Sequence, residues 1–308
     1  MRTRFVCVAL LLMYSTVSQA CDACGCSAGG VGFGYIPFQQ RHMIGLHFQN
    51  NRFETLHPAL FTDETDETSV DNFNALTLWG RYYISKRWFL SGMLPIKQHS
   101  LKMSNETIEL KGFGDAQLQV YYALVSKGGT MSDKQTNWFI GSHISIPTGK
   151  IDSDNQSSLP NLQLGTGAWG AGLNSTFSWR RLNFGFSSEI NTRLNAANNI
   201  DYRFGQEVSS NNLFFYRIKR EKLTLIPQVG LYQMHRAKDQ ISASRKEANT
   251  LSGVQLFNAV IGSSVYFSDF GIRAYYHFPI HHSISNGYTK PTQFFNIQFL
   301  HLLKSNKK

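Results

Sequence analysis

The chain of 308 residues carries a net charge of +10, with 16% charged and 13% aromatic residues. Its four cysteines cannot staple a chain of this length, because all but Cys7 fall between residues 21 and 26. Outside the leader no run approaches the roughly 18 apolar residues of a membrane-spanning helix, which excludes a helical membrane protein, and the basic residues are spread rather than pooled, which argues against nucleic acid as a partner.

Residues 1–20 have the layout of a secretory signal peptide: Arg2 and Arg4, the apolar run FVCVALLLM, then the small residues Ser18 and Ala20 at the minus-three and minus-one places. Cleavage after Ala20 discards Cys7 and leaves Cys21 at or next to the new amino terminus, in an oxidising compartment. A lipobox wants a Leu-like residue where Ser18 stands, so simple cleavage is preferred to lipidation of Cys21. Residues 21–40 are rich in cysteine and glycine. Cys21, Cys24 and Cys26 spell C-x-x-C-x-C, three thiolates able to hold a soft ion such as Cu or Zn, with the amino group or a histidine as fourth ligand. The bland alternative is a disulfide between two of them. Haem attachment is excluded, because Gly25 stands where that motif needs His.

From residue 41 to 303 the chain alternates apolar and polar residues in about twelve segments, each long enough to cross an outer membrane as a tilted strand. Ile44, Leu46 and Phe48 oppose His47 and Gln49; Leu76, Leu78 and Tyr82 oppose Thr77 and Arg81. In DAQLQVYYALV, Leu118, Val120 and Leu124 fall on one face while Gln117 and Gln119 fall on the other. Later, Phe184, Phe186 and Ile190 oppose Ser187 and Glu189, and Phe270, Ile272 and Phe278 oppose Arg273 and His277. Two segments are less regular: LGTGAWGAGLNSTFSW, taken as the sixth strand, is glycine-rich, and FGQEVSSNNLFFYRI, the eighth, has a polar half. Ten or fourteen strands are therefore also compatible with the pattern.

Connections run long, then short. LHPALFTDETDETSVDN precedes a tight SK, and HRAKDQISASRKEANTL precedes a tight SD, the asymmetry of barrels with short periplasmic turns and longer outer loops. Basic residues gather at the short rim, in SKRW, WRRL and IKREK, and residues 304–308 add a basic tail. The expected fold is all-β: a transmembrane antiparallel up-and-down barrel in the bacterial outer membrane, surrounded by lipid and placed there by the outer-membrane assembly machinery. The segment GGVGFGYIPFQQ either plugs its lumen or is a loose lead-in.

Three stretches go beyond periodicity. They hold Gly112, Gly114 and Asp115; Pro147, Thr148 and Gly149; and Gln163, Gly165, Thr166 and Gly167. In these the chain resembles the outer-membrane barrel family named for the phenol meta-degradation pathway, distantly akin to fatty-acid and aromatic-hydrocarbon channels. The resemblance implies a barrel passing a hydrophobic or aromatic solute. Read from the residues alone, the same glycines mark turns, bulges or close backbone approach. The chain departs from barrels that finish on an aromatic residue, so recognition by the insertion machinery is expected to rest on Phe299.

Side chains expected to face the lumen are His47, Arg81, Gln117, Gln119, His143, Glu189, Arg273 and His277. His281 and His282 follow the strand of His277, and an imidazole-lined metal site needs several of these rings to converge. His143 and Ser145, two apart on one strand face, are spaced like the His-x-Ser of outer-membrane phospholipases, but no orienting Asn is identifiable in the sequence. The expected function is passive diffusion of a small, hydrophobic or aromatic compound, without catalysis or cofactor. The alternatives are handling of copper or another soft metal by the cysteines, a lipid hydrolase, and a structural or adhesive barrel without flux.

Overall fold

The computed structural model describes residues 41–57, 66–129, 132–151, 162–250 and 252–303. The leader, the cysteine-rich segment 21–40 and the tail 304–308 lie outside these residues. The strands in chain order are β1 (His42–His57), β2 (Glu67–Tyr83), β3 (Trp88–Lys102), β4 (Thr107–Phe113), β5 (Ala116–Lys127), β6 (Lys134–Ile146), β7 (Gly170–Arg181) and β8 (Phe184–Asn195). They continue with β9 (Glu207–Tyr216), β10 (Ile218–Arg220), β11 (Leu223–Arg236), β12 (Gln240–Ser242), β13 (Glu247–Ala248), β14 (Val254–Phe267), β15 (Phe270–Ile284) and β16 (Thr289–Leu303).

Each wall strand pairs antiparallel with its neighbour, and β16 pairs with β1 over nearly its full length, closing the sheet on itself. Two staves of the wall are interrupted. β4 and β5 pair with the upper and lower parts of β3 either side of Gly114 and Asp115, and β9 and β10 pair in succession with β11 either side of Arg217. Counting each interrupted stave once, the barrel has 12 strands. Closure is stapled at the seam by Arg41, whose guanidinium donates to the carbonyl of Leu302 (3.0 Å) and pairs with Asp269 (2.8 Å) in the β14–β15 turn.

The outer face explains why these sequences form strands. Leu173, Phe184, Phe214 and Val229 are 67%, 68%, 62% and 58% exposed, and such side chains recur all round the wall. An apolar belt of that extent is stable only against hydrocarbon. Toward the short-turn rim it carries aromatic pairs, Trp88 with Tyr122 and Phe184 with Tyr216, their ring centroids 4.8 and 4.9 Å apart, as in an interfacial girdle. No helix among the described residues is long and apolar enough to cross a membrane.

Three features differ from the sequence expectation. The segment LGTGAW is not strand: β7 begins only at Gly170, and residues 162–168 fold inward, with Leu162, Leu164 and Ala168 buried. The eighth strand likewise begins at Glu207, because Tyr202 and Phe204 are tucked inside the barrel. On the rim of the longer connections, the joins 103–106 and 285–288 are tight, so that rim is built partly from strands that outrun the bilayer.

The interior is not uniformly wet. Phe53, Phe73, Leu213, Met234 and Phe294 form one buried cluster drawn from β1, β2, β9, β11 and β16, so part of the lumen is a packed core. A second cluster, with Met43, Trp79, Met93, Phe215 and Tyr266, lies nearer the short-turn rim and draws on strands from across the barrel. We call this second layer the floor.

Candidate functional site

The cavity lies between the floor and the inward-folded connections. Its volume is about 190 Å³, and it is lined from β1 through β9 and by Arg236 at the end of β11. Alternation along β5 points Gln117, Gln119 and Tyr121 into it while Leu118 faces lipid. β6 contributes His143, β7 Asn174 and Thr176, and β8 Glu189 and Arg193. Met93 belongs both to the cavity wall and to the floor.

The roof is held by two buried aspartates. Asp115, at the break between β4 and β5, accepts from the Gly149 backbone N–H (3.0 Å) on Oδ1, and from the backbone N–H (2.8 Å) and hydroxyl (2.7 Å) of Thr166 on Oδ2. The three glycine-bearing motifs thereby meet at one carboxylate. Thr148 closes the same knot, its hydroxyl donating to the Gly114 carbonyl (2.9 Å) and accepting from the Ala116 N–H (2.9 Å). His99 adds a tether, its Nδ1 3.0 Å from the Leu162 carbonyl. Gly167 sits at φ +64°, in the left-handed region that favours glycine. Gly112, at φ 158°, likewise has a backbone conformation that residues with a Cβ rarely adopt, and Pro147 follows the last residue of β6, where a ladder donor is not needed.

Asp239 does the same for the second inturned connection. It is fully buried and accepts from the Tyr202 hydroxyl (2.8 Å) and the Gly205 N–H (2.7 Å), while Arg236 stands 3.9 Å away. Both roof pieces therefore depend on carboxyl groups that receive backbone N–H groups.

Of the eight expected lumen residues, Gln117, Gln119, His143 and Glu189 line the cavity. The others do not. His47, Arg273 and His277 lie on the packed side, where His47, Gln298, Arg273 and Ser264 form one cross-strand row. There Arg273 donates to Gln298 (3.0 Å) and Tyr275 (2.7 Å) and is fully buried, so it is a structural cation rather than part of a water-filled surface. His277 shares that environment through Asn296 (3.3 Å). Arg81 lies over the Phe89 ring, 4.6 Å from its centroid, at the level of the floor, where Phe89 stacks on Tyr121 at 4.6 Å. His47 and His277 both reach Asn296, but no third such group among the described residues joins them, and His281 and His282 stand apart near the end of β15. Among the described residues no group of three or more His, Cys, Asp or Glu side chains is placed to hold a metal ion. Cys21, Cys24 and Cys26 lie outside those residues.

Asn174 is the residue that sequence reading missed. Its Oδ1 accepts from His143 Nδ1 at 3.1 Å, the orienting contact not visible in the His-x-Ser spacing. Ser145, however, is buried at 3% exposure beside the backbone of Gly170 and forms no hydrogen bond with His143, so a nucleophile and its base are not assembled. Asn174 was legible only as one of the small or polar residues Gly170, Gly172 and Asn174 alternating with Ala171 and Leu173, within the segment whose start was misplaced.

A family model described as "Putative MetA-pathway of phenol degradation" matches residues 62–260. No curated protein sequence matches the chain. Among solved structures, the barrel is similar to an outer membrane channel from Pseudomonas putida F1, with TM-score 0.63 and 13% identity over 89% of this chain and 99% of that one. It also aligns with the CymD monoaromatic hydrocarbon channel, at TM-score 0.39 and 10% identity over 93% of this chain and 99% of that one. The apolar belt, the closed 12-strand sheet and the first of these likenesses agree on a barrel of the bacterial outer membrane. The chain belongs to the family described as "Putative MetA-pathway of phenol degradation".

Proposed function

We propose that the protein is an outer-membrane channel through which a small, aromatic-sized compound diffuses passively. The cavity in mid-barrel carries the reading: a closed wall around a chamber lined by polar and apolar groups suits passage of a small solute, and its volume of about 190 Å³ exceeds the ~150 Å³ that holds benzene. The family's description, which concerns phenol degradation, favours an aromatic solute. A solute enters past the roof that Asp115 and Asp239 tie down, rests in the chamber, and leaves past the floor around Trp79 and Met93. The chain needs no energy source for this, because the gradient of the solute drives it.

The test is swelling of liposomes carrying the purified protein, in arabinose or glycine. Swelling above protein-free vesicles is expected. No swelling, either with the whole mature chain or after deletion of residues 21–40, would leave a barrel without flux and overturn the proposal.

A further inference from the structure

We infer that the short-turn rim carries a binding site for the headgroup phosphate of an anionic phospholipid, built on the outward face of β5, β6 and β7 from Lys127, Lys134 and Arg181. The inference needs only the membrane-embedded barrel and stands apart from the channel reading.

Three observations carry it. First, Lys134 and Arg181 are direct cross-strand partners at the rim ends of β6 and β7. Both are exposed, and the alternation that buries their neighbours Gln135 and Arg180 turns these two outward. Like charges directly opposite on one face destabilise a sheet. Asp133, the acidic residue beside Lys134 in the chain, makes no ion pair with either cation. Lys127 lies opposite Thr136, the next outward residue of β6, so a third exposed cation and a hydroxyl border the same patch. An anion with several acceptor oxygens set among these groups relieves the repulsion that the fold leaves standing.

Second, the backbones that carry the pair cannot drift apart. The Leu182 N–H donates to the Asp133 carbonyl (2.6 Å), and the buried Arg180 guanidinium donates to the carbonyls of Ser132 (2.6 Å) and Leu182. The β5–β6 and β7–β8 turns are thereby fastened to each other beside the two cations.

Third, the patch stands at headgroup depth. Trp179 lies opposite Thr136, and Trp138 follows two residues further into the wall on the same face; they are 40% and 42% exposed. Exposed tryptophans on a lipid-facing wall mark the level where hydrocarbon gives way to headgroups. Lysine and arginine just beyond them lay their alkyl stems on the apolar belt and hold their charges among the phosphates. A lipid can place its chains along the indoles while its phosphate meets the cations, whereas a free phosphate ion gains nothing from the indoles. The short-turn rim faces the periplasm in barrels of this kind, so the lipid is drawn from the phospholipid leaflet on that side.

The experiment is native mass spectrometry of the folded mature chain in detergent, titrated with phosphatidylglycerol, with phosphatidylcholine of the same chains, and with inorganic phosphate as competitor. Phosphatidylglycerol should bind at least ~10-fold more tightly than phosphatidylcholine, the scale expected of two or three cations beside an anionic lipid. In Lys134→Gln combined with Arg181→Gln the two lipids should bind within about 2-fold of each other. Lys222→Gln, on another turn of the same rim, should keep the full preference. Thermal unfolding of the single variant Lys134→Gln supplies a second readout. Without lipid its midpoint should be no lower than that of the wild type, because a repulsion is gone, and added phosphatidylglycerol should raise the wild-type midpoint more. Equal binding of the two lipids by the wild type, or a lipid-free midpoint that falls in Lys134→Gln, would overturn the inference. So would displacement of phosphatidylglycerol by millimolar inorganic phosphate, which marks a site for the free ion. An equal loss of preference in Lys222→Gln would replace the site with a diffuse basic rim.

Discussion

Asp115 Oδ2 accepts both the backbone N–H and the hydroxyl of Thr166, a residue 51 positions further along the chain. This pairing fastens the inturned segment to the wall at the very point where β4 gives way to β5. Hydrogen bonds to a charged acceptor contribute about 1.5–3 kcal/mol each, and removing the acceptor leaves two backbone N–H donors unpaired. Asp115→Ala is therefore expected to lower the unfolding midpoint and to release residues 162–168 from the roof. Single-channel recording checks this: conductance should rise severalfold over the wild type, and an unchanged conductance in a folded variant would show that the segment does not obstruct passage.

Glycine is required in that knot for a steric reason. A Cβ built on Gly165 would lie 2.6 Å from Asp115 Oδ1 and 2.7 Å from the Cα of Gly149, and neither can retreat without breaking the Asp115 bonds. Gly165→Ala should cost about 1–3 kcal/mol, the usual range for overpacking. Gly129, where a Cβ would meet nothing within 4 Å, is the control, and its alanine variant should change stability by no more than ~0.5 kcal/mol. Urea unfolding in detergent micelles, followed by the loss of the compact, heat-modifiable band, measures both.

The wall was legible in the sequence because lipid enforces a strict two-residue period: Leu118 out and Gln119 in follows from the pleat alone. The packed part of the lumen was not. Phe53, Phe73 and Phe294 point inward with exposures of 0%, 4% and 2%, and alternation cannot say whether an inward apolar residue meets water or another apolar residue. LGTGAW misled for a related reason: its glycines permit a strand or an inward turn equally, and the choice is made by Asp115 and His99, neither of which lies near it in sequence. The glycine motifs were visible as motifs, but their convergence on one carboxylate is a tertiary fact. Likewise, the inward charges of Arg273 and Glu189 were readable, yet only the packing separates a structural cation from a cavity wall.

The floor gives a third expectation. Trp79 is 1% exposed, and its indole lies against the backbone of Gly45 so closely that a Cβ there would come within 2.8 Å of Cε2. Trp79→Ala removes the largest side chain of that layer, at a typical cost of about 3–5 kcal/mol for a buried Trp. If the layer obstructs the short-turn end, the variant that still folds will conduct more than the wild type at equal applied voltage. Gly45→Ala would press both on the indole and on the Phe299 backbone carbonyl of the β1–β16 seam, so it should cost stability as well, and where it still folds it should raise conductance by less. Unaltered current in both would place the constriction elsewhere.

Acid should loosen the outer loops through Asp201. This residue, at φ 62°, accepts from the Ser244 hydroxyl (2.5 Å), the Ser242 hydroxyl (2.7 Å) and the Ser244 N–H (3.1 Å), tying the β8–β9 connection to the β12–β13 hairpin. The Ser244 hydroxyl first, then Ser242 and the Ser244 backbone, hold the Asp201 carboxyl below the ordinary carboxylate range. The folded loop thus takes up the proton less readily than the unfolded one, so the tie is at full strength above the unfolded value of about 3.9 and is lost as pH falls through the folded value. Amide hydrogen-exchange protection of residues 196–206 and 240–248 should be high at pH 7 and fall at the most acidic pH the barrel tolerates. In Asp201→Asn the charge is gone at every pH, so protection should be low at pH 7 and show little further loss in acid. Equal protection of wild type and variant at pH 7 would mean that the carboxylate does not hold the loops together.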